Sequence, residues 1–497
     1  MLNLIEKELK ERENFSVTEN GAIGYKTTKS ALVDINYKVS SLRNSDENEI
    51  IDLFDKAFEE NKEYALKWLF FSRDILEGLG ERRLFRICYK RLSDLDIDLF
   101  HKNLNNIPEY GRWDDLVSLI GITTKIDNYI IEIINSQLQK DIANLKQDKP
   151  ISLLAKWLPS ENASSMETKS KAKKIRKLLE MTPRKYRLML SELRAHSNIV
   201  ETKMCDNRWE EIDYEKVPSL ANLKYKNAFM RHDADRRMKY LDSVEKGSAK
   251  MNMKTATPVD IVARYIDEKD SSLELAWKNL KDIMVQDTLV VADGSSSMFV
   301  PVSGNTSALD VANALSIYTS EHNNGVYKNK YITFSYRPQF VEFEENDSLK
   351  DKINKARKYN EVANTNIEAV FDLILSVAIE NDLTQEEMIK NILIISDMEF
   401  DHAQSCSWCG DSNPLTKSLF KIIEKKYNDA GYMLPKLIFW NVNSRTGTIP
   451  LTQNELGVAL VSGFSQNVLK MVMSGELDPY KILIEQITSP RYDSINI

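Results

Sequence analysis

From Asn48 to about Gly247, apolar residues return every three or four positions, as in Ala65, Leu66, Leu69, Phe70 and Ile75, or Leu116, Leu119 and Ile120. That period puts them on one face of successive helices. Gly and Pro at Gly78, Gly80, Pro108, Gly111, Pro150, Pro159, Pro183 and Pro218 punctuate the series and mark the turns between helices. No sequence unit repeats, so the pattern predicts an irregular stack of helix pairs rather than a regular solenoid. After about Ile283 the rhythm changes. The apolar runs Thr288–Ala292, Tyr331–Phe334, Phe340–Phe343, Asn391–Ile395, Leu437–Asn441 and Val458–Val461 predict strands. Residues Asp310–Thr319, Ile367–Ile379, Leu415–Tyr427 and Val468–Met473 predict the helices between them. Strands alternating with helices imply a mostly parallel sheet covered on both faces. Ligands of such sheets bind beyond the C-terminal ends of the strands, where the strand order reverses.

The length of 497 residues exceeds what one core organises, and the change of pattern predicts a boundary between domains 1–283 and 284–497. Four Cys in so long a chain provide no disulfide framework and point to a reducing compartment. The longest apolar runs, such as Leu437-Ile438-Phe439-Trp440, are strand-sized, far short of the roughly 20 residues of a membrane span. Met1 to Phe15 mixes Leu and Ile with Glu, Lys and Arg and lacks the apolar centre of a signal peptide. A cytoplasmic protein without membrane contact is expected. Charge separates the two parts. Of the formal net charge of -7, the residues after 280 account for more than all, with 19 Lys and Arg against 28 Asp and Glu. The part before is close to neutral. It contains a basic stretch in which Lys169, Lys171, Lys173, Lys174, Arg176, Lys177, Arg184, Lys185, Arg187 and Arg194 face only Glu180 and Glu192.

The first apolar run of the second part leads into Asp293-Gly294-Ser295-Ser296-Ser297-Met298. In an extended loop the side chains at i, i+2 and i+4 point the same way, so Asp293, Ser295 and Ser297 can converge. Oxygen donors of this kind suit a hard cation such as Mg²⁺. Two more oxygens stand where neighbouring loops of the sheet belong: Thr365, before a predicted helix, and Asp397, after the strand Asn391–Ile395. Three hydroxyls with only two carboxylates leave a divalent ion under-neutralised, and it would draw a carboxylate or phosphate from outside as its last ligand. The competing reading makes Asp293 a helix or turn cap and the Ser run a polar loop.

Asp293-x-Ser295-x-Ser297, followed in order by Thr365 and Asp397, resembles the metal-ion-dependent adhesion site (MIDAS) of von Willebrand factor A (vWA) domains, over about residues 284–497. The resemblance implies that these five residues hold Mg²⁺ directly or through water. It departs from the usual pattern in two places: Asn364 precedes Thr365 where Gly is common, and Ser396-Asp397-Met398 replaces Thr-Asp-Gly. A helical scaffold ahead of a vWA domain resembles the Ro autoantigen, or TROVE-domain, ribonucleoproteins, whose helical ring binds small structured RNAs and RNA ends. Particular stretches are more similar to the family of domain of unknown function 2828. These are Arg73-Asp74-Ile75 with Gly78-x-Gly80-Glu81-Arg82, Tyr110-Gly111-Arg112-Trp113-Asp114-Asp115-Leu116, Trp209 with Val217-Pro218-Ser219, and Phe229-x-Arg231-His232-Asp233. The implied fold is multidomain: an N-terminal all-α, HEAT-like and TROVE-like helical-repeat scaffold, then a C-terminal α/β, Rossmann-like vWA domain.

The residues themselves support RNA less directly. The basic stretch can meet several phosphates, and Tyr186 within it could stack on a base, but a charge run on a helix is more often a solvated face. No RNP, KH or zinc-finger signature is present. Gly111-Arg112-Trp113-Asp114 reads as a structural turn with Trp113 buried, and Arg231-His232-Asp233 as a helix-surface ion pair. Cys406 and Cys409, with His402 nearby, could be redox-active or bind metal, though a loop beside the cation site is the simpler reading; Cys88 belongs in a core. Catalysis is not expected, because no Ser-His-Asp order, P-loop or G-x-S-x-G occurs and a nuclease usually gathers more carboxylates. The expected function is a Ro-like ribonucleoprotein scaffold binding structured or single-stranded RNA through its helices, with a Mg²⁺-dependent vWA module engaging an acidic protein ligand. The alternatives are a protein-protein adaptor with no RNA role and a metal-dependent nuclease.

Overall fold

The computed structural model describes residues 14–18, 23–197, 199–265, 270–283, 287–304, 306–335, 337–359, 366–398, 417–444, 449, 458–463, 468 and 478–497. The chain forms two compact units, each from two stretches: residues 1–65 with 256–489, and residues 66–255 with 490–497.

The first unit carries the strands β1 (Phe15–Val17), β2 (Ile23–Tyr25), β3 (Thr288–Asp293), β4 (Pro301–Ser303), β5 (Thr306–Ser307), β6 (Lys330–Phe334), β7 (Phe340–Glu342), β8 (Asn391–Ser396), β9 (Lys436–Asn441) and β10 (Val458–Ser462). β1 with β2 and β4 with β5 form small ribbons, and the other six form one sheet in the order β10-β9-β8-β3-β6-β7. Its neighbours run parallel except β7, which is antiparallel to β6 at the edge. Each of the six strands lies within one residue of the apolar run that predicts it. β3 is buried at every position, as a central parallel strand covered on both faces must be. Leu289 and Val291 enter a core with Phe371, Ile374, Phe420 and Tyr427, from helices Ile367–Glu380 and Lys417–Asp429. The helix Ala308–Glu321 packs against β3 and β6; it starts at a capping box in which Ser307 Oγ donates to Asp310 Oδ2 at 2.8 Å. The predicted helix Val468–Met473 lies outside the described residues except for Val468.

The units divide the chain differently from the split expected at residue 283. Helix Ala31–Lys38 packs on β10 and on helix Pro479–Ile487. Asn441 Nδ2 donates to the Tyr37 carbonyl at 3.0 Å, and the Ser40 N–H to Ser462 Oγ at 3.2 Å. Further on, helix Pro258–Val262 packs against Ala308–Glu321, and Trp277 Nε1–H donates to Glu321 at 2.7 Å. Apolar periodicity identifies these helices but does not say which core they serve.

The second unit is helical, as the 3.6-residue pattern predicts. Phe70 packs its ring within 5.3–5.8 Å of Phe85, Tyr89 and Tyr110, and Cys88 is fully buried among them. Residues 490–497 complete it: Arg491 pairs with the buried Asp74, Tyr110 Oη donates to the Arg491 carbonyl at 2.6 Å, and Tyr492 stacks on Tyr110 at 5.5 Å. Hydrogen bonding to Asp74 raises the Arg491 pKa. Among the described residues no helix is long and apolar enough to cross a membrane.

Candidate functional site

The sheet runs from β3 outward through β6 and β7, then returns to the other side of β3 for β8, β9 and β10. The order therefore reverses between β3 and β8, and a crevice at their C-terminal ends is the favoured ligand position in such a fold. Asp293 ends β3, and Ser396 ends β8. Ser396 Oγ donates to Asp293 Oδ2 at 2.6 Å, which ties the two strand ends together. Asp293 Oδ1 accepts the Ser295 N–H at 2.9 Å, curling the loop so that Ser295 Oγ and Ser297 Oγ stand 2.9 Å apart. Asp293, Ser295 and Ser297 are thus brought together, not by the expected extended loop but by a turn into the 3-10 helix Ser296–Phe299, and Asp397 follows Ser396 directly, 1% exposed. Thr365 lies outside the described residues, as do His402, Cys406 and Cys409.

Two features here were not legible in the motif. Met398 has φ +62°, a left-handed conformation that is costly for any residue but Gly. Here a Met holds the turn with its side chain buried and its N–H bonded to Ser396 Oγ at 3.0 Å. Ser335 follows Phe334, the register partner of Asp293, and its buried hydroxyl finds no hydrogen-bond partner among the described residues. A polar group of this kind at the strand ends is one that a ligand or water would satisfy. Among the described residues no group of three or more His, Cys, Asp and Glu could hold a metal ion. The donor set is instead two carboxylates with serine hydroxyls, which fits a hard, partly hydrated cation.

The basic stretch forms the helices Met166–Leu178 and Pro183–His196. Its ten cations divide by what they touch. Arg194 donates to the carbonyls of Ala155 and Leu158 and to Ser160 Oγ at 2.7–2.8 Å, and burial lowers its pKa. Arg176 pairs with Glu161 at 2.6 Å and Lys174 with Asp127 at 2.6 Å. Lys173, Lys177, Arg184, Lys185 and Arg187 are exposed, while Lys169 and Lys171 are half-buried. Tyr186 is 1% exposed and donates to the Pro159 carbonyl at 2.9 Å, so it presents no ring face to a base.

The other motif residues are mostly architectural. Arg112 and Asp115 cap the helix Trp113–Ser118, while Trp113, expected to be buried, is half-exposed. His232 stacks on Trp209 at 4.5 Å, and Asp233 accepts from Tyr214 Oη and Arg236 at 2.9 Å. Gly111 is required by close approach: a Cβ there would lie 2.7 Å from Asp115 Oδ2 and 3.1 Å from Arg73 Nε.

Comparison with known proteins gives matches without assigned activity. Domain of unknown function DUF2828 matches residues 18–126 and 161–291, and domain of unknown function DUF7788 matches 287–488. The chain is 32% identical to uncharacterized protein L728 of Acanthamoeba polyphaga mimivirus, over 95% of this chain and 87% of that protein. Among solved structures, the Ro (RSR) protein of Deinococcus radiodurans matches with a TM-score of 0.37 and 14% identity, covering 88% of this chain and 92% of that one.

Proposed function

The chain belongs to the DUF2828 family, and on that premise we propose that it is a non-catalytic binding scaffold, with a vWA-type, Mg²⁺-dependent module in the sheet-bearing unit and an RNA-binding surface on the helical unit. The observation that carries the reading is the convergence of Asp293, Ser295 and Ser297 with the Ser396-Asp397 strand end at the reversal of strand order. Asp293, Ser295, Ser297 and Asp397, with Thr365, would hold the cation. Once bound, the ion supplies a positive charge with an open position for an acidic group of a protein partner. Ser396 keeps the Asp293 carboxylate turned toward the loop.

Calorimetric titration of the whole protein with Mg²⁺ and Mn²⁺ tests the module. Saturable binding that Asp293→Ala abolishes supports it, and equal heats from protein and variant refute it. For the helical unit, Lys173, Lys177, Arg184, Lys185 and Arg187 supply the contacts, because they are exposed and tied into no ion pair among the described residues. Structured RNA should bind with an affinity that falls steeply with salt and that reversing these five charges removes. The engagement of Arg176, Arg194 and Lys174 within the fold favours the second reading, a protein adaptor with no RNA role. Salt-insensitive or undetectable RNA binding would select it.

A further inference from the structure

The helical unit gathers more positive than negative charge at one place around Asp114 and Asp115. Arg73, which ends helix Lys62–Arg73, donates from Nε to Asp115 Oδ2 at 2.9 Å. Arg86, on helix Arg82–Leu95, donates from Nε to Asp115 and from Nη2 to Asp114 at 2.7 and 2.8 Å. Arg112 grips Asp114 with Nε and Nη2 at 2.8 Å each, and its guanidinium lies over the Trp157 ring at 4.2 Å. Three guanidinium groups thus share two carboxylates. Lys174 beside them is matched by Asp127.

Two more cations border this network. Arg82 is surrounded so that burial first, then the Arg112 charge and further on Arg73, lower its pKa against partial relief from Asp114 and Asp115. Lys171 is lowered by burial, with Arg86 and Lys174 adding to it and Glu167 opposing it. Neither side chain makes a hydrogen bond or ion pair with any described residue. Counting every group that acts on them, six cations (Arg73, Arg82, Arg86, Arg112, Lys171 and Lys174) meet four carboxylates (Asp114, Asp115, Asp127 and Glu167). Like charges held together in partly dehydrated surroundings raise the energy of the fold unless an anion joins them.

The donors left over suit such an anion. The Asp114 and Asp115 bonds use Nε and Nη2 of Arg86 and of Arg112, leaving Nη1 of each without a hydrogen bond to any described residue. The whole guanidinium of Arg82 and the Lys171 ammonium are uncommitted as well. Planar guanidinium edges beside a point-charge ammonium are the donors that phosphate oxygens recognise. We propose that Arg82, Arg86, Arg112 and Lys171 form a phosphate-binding site that takes a backbone phosphate of RNA, with Asp114 and Asp115 fixing the two inner arginines. The choice of RNA as the source rests on the reading of the helical unit as an RNA-binding surface. The stacked Arg112–Trp157 pair holds one side of the site still, so less order has to be imposed on binding.

The test uses the whole protein, Arg82→Gln and the double variant Arg82→Gln/Lys171→Gln, with labelled oligouridine read by fluorescence anisotropy and inorganic phosphate read by calorimetry. Neither substituted residue bonds to the Asp114/Asp115 network, so the unfolding midpoint should hold. The double variant is expected to bind oligouridine on the order of tenfold more weakly. The slope of log affinity against log salt should fall by roughly 0.7 for each single-strand phosphate that is no longer neutralised. Equal affinity and equal slope for oligouridine in protein and variant overturn the site while leaving RNA binding elsewhere intact. If only inorganic phosphate binds, and the double variant loses it, the phosphate site stands and its RNA source is rejected. Absence of both binding events overturns the proposal.

Discussion

Asp115→Ala removes a carboxylate that is 1% exposed and holds three donors at once. Its oxygens accept from Arg73 Nε at 2.9 Å, from Arg86 Nε at 2.7 Å and from the Arg112 N–H at 3.0 Å. The Arg73 side chain is only 4% exposed, so its guanidinium cannot turn to water once its partner is gone. Removing one partner of a buried pair costs about 3–5 kcal/mol, more than the pair itself contributes, because a charge is left buried alone. Asp114→Ala is the control. Its side chain is 21% exposed and its arginines 29% and 32%, so water takes over and the cost is about 1 kcal/mol. With two units in the chain, one global unfolding energy is not well defined. Amide hydrogen exchange in helices Arg82–Leu95 and Trp113–Ser118 reads the local stability instead. Asp115→Ala should cut protection there by roughly two to four powers of ten, and Asp114→Ala by less than about one. Arg73→Met/Asp115→Leu should recover most of the loss, since an apolar pair of similar volume replaces the ion pair. Equal losses for the two single variants would refute the claim that burial makes Asp115 the keystone.

Two further outcomes are expected. Met398→Gly relieves a left-handed φ worth about 1–2 kcal/mol but removes a buried side chain worth about 2–5 kcal/mol. Amide protection in β8 should therefore fall, and a rise would show that backbone strain outweighs packing at the end of β8. Tyr327, buried on the sheet-bearing unit, has its hydroxyl pKa pushed up to about 12 by burial and by Tyr432. A raised folded-state value means stability that is whole below the unfolded value near 10 and is lost as pH climbs toward 12. Tyr327→Phe should leave stability at neutral pH almost unchanged and flatten the alkaline loss by roughly 2–3 kcal/mol at most. Unchanged alkaline unfolding profiles would show that this tyrosine ionises without cost.

The sheet was legible because its strands are near-continuous apolar runs bounded by polar turns, and a strand buried on both faces leaves that mark in any register. Asp293, Ser295 and Ser297 were legible as a set of oxygen donors, but not by the expected route: a turn at Ser295 into a 3-10 helix, not an extended loop, brings them together. The use of the basic stretch was not legible. A guanidinium aimed at carbonyls of a neighbouring turn, as in Arg194, reads in sequence like one aimed at solvent. Likewise Asp74 and Arg491 form one ion pair across 417 residues, and no local period records that. The stretches that mark the family, Arg73-Asp74, Arg82 and Arg112 to Asp115, turn out to be largely one charge network, so their resemblance speaks for how the helices are joined as much as for what they bind.

The nested connectivity sets an order of events during synthesis. Helix Ala31–Lys38 leaves the ribosome early, yet the groups that receive it, Asn441 and Ser462, are made some four hundred residues later. Asp74 waits as long for Arg491. The usual expectation, that the first domain of a chain matures while the next is still being made, therefore fails for both units. Each must hold an unfinished surface until its late partners, β9 and β10 for the one and Arg491 for the other, have been made.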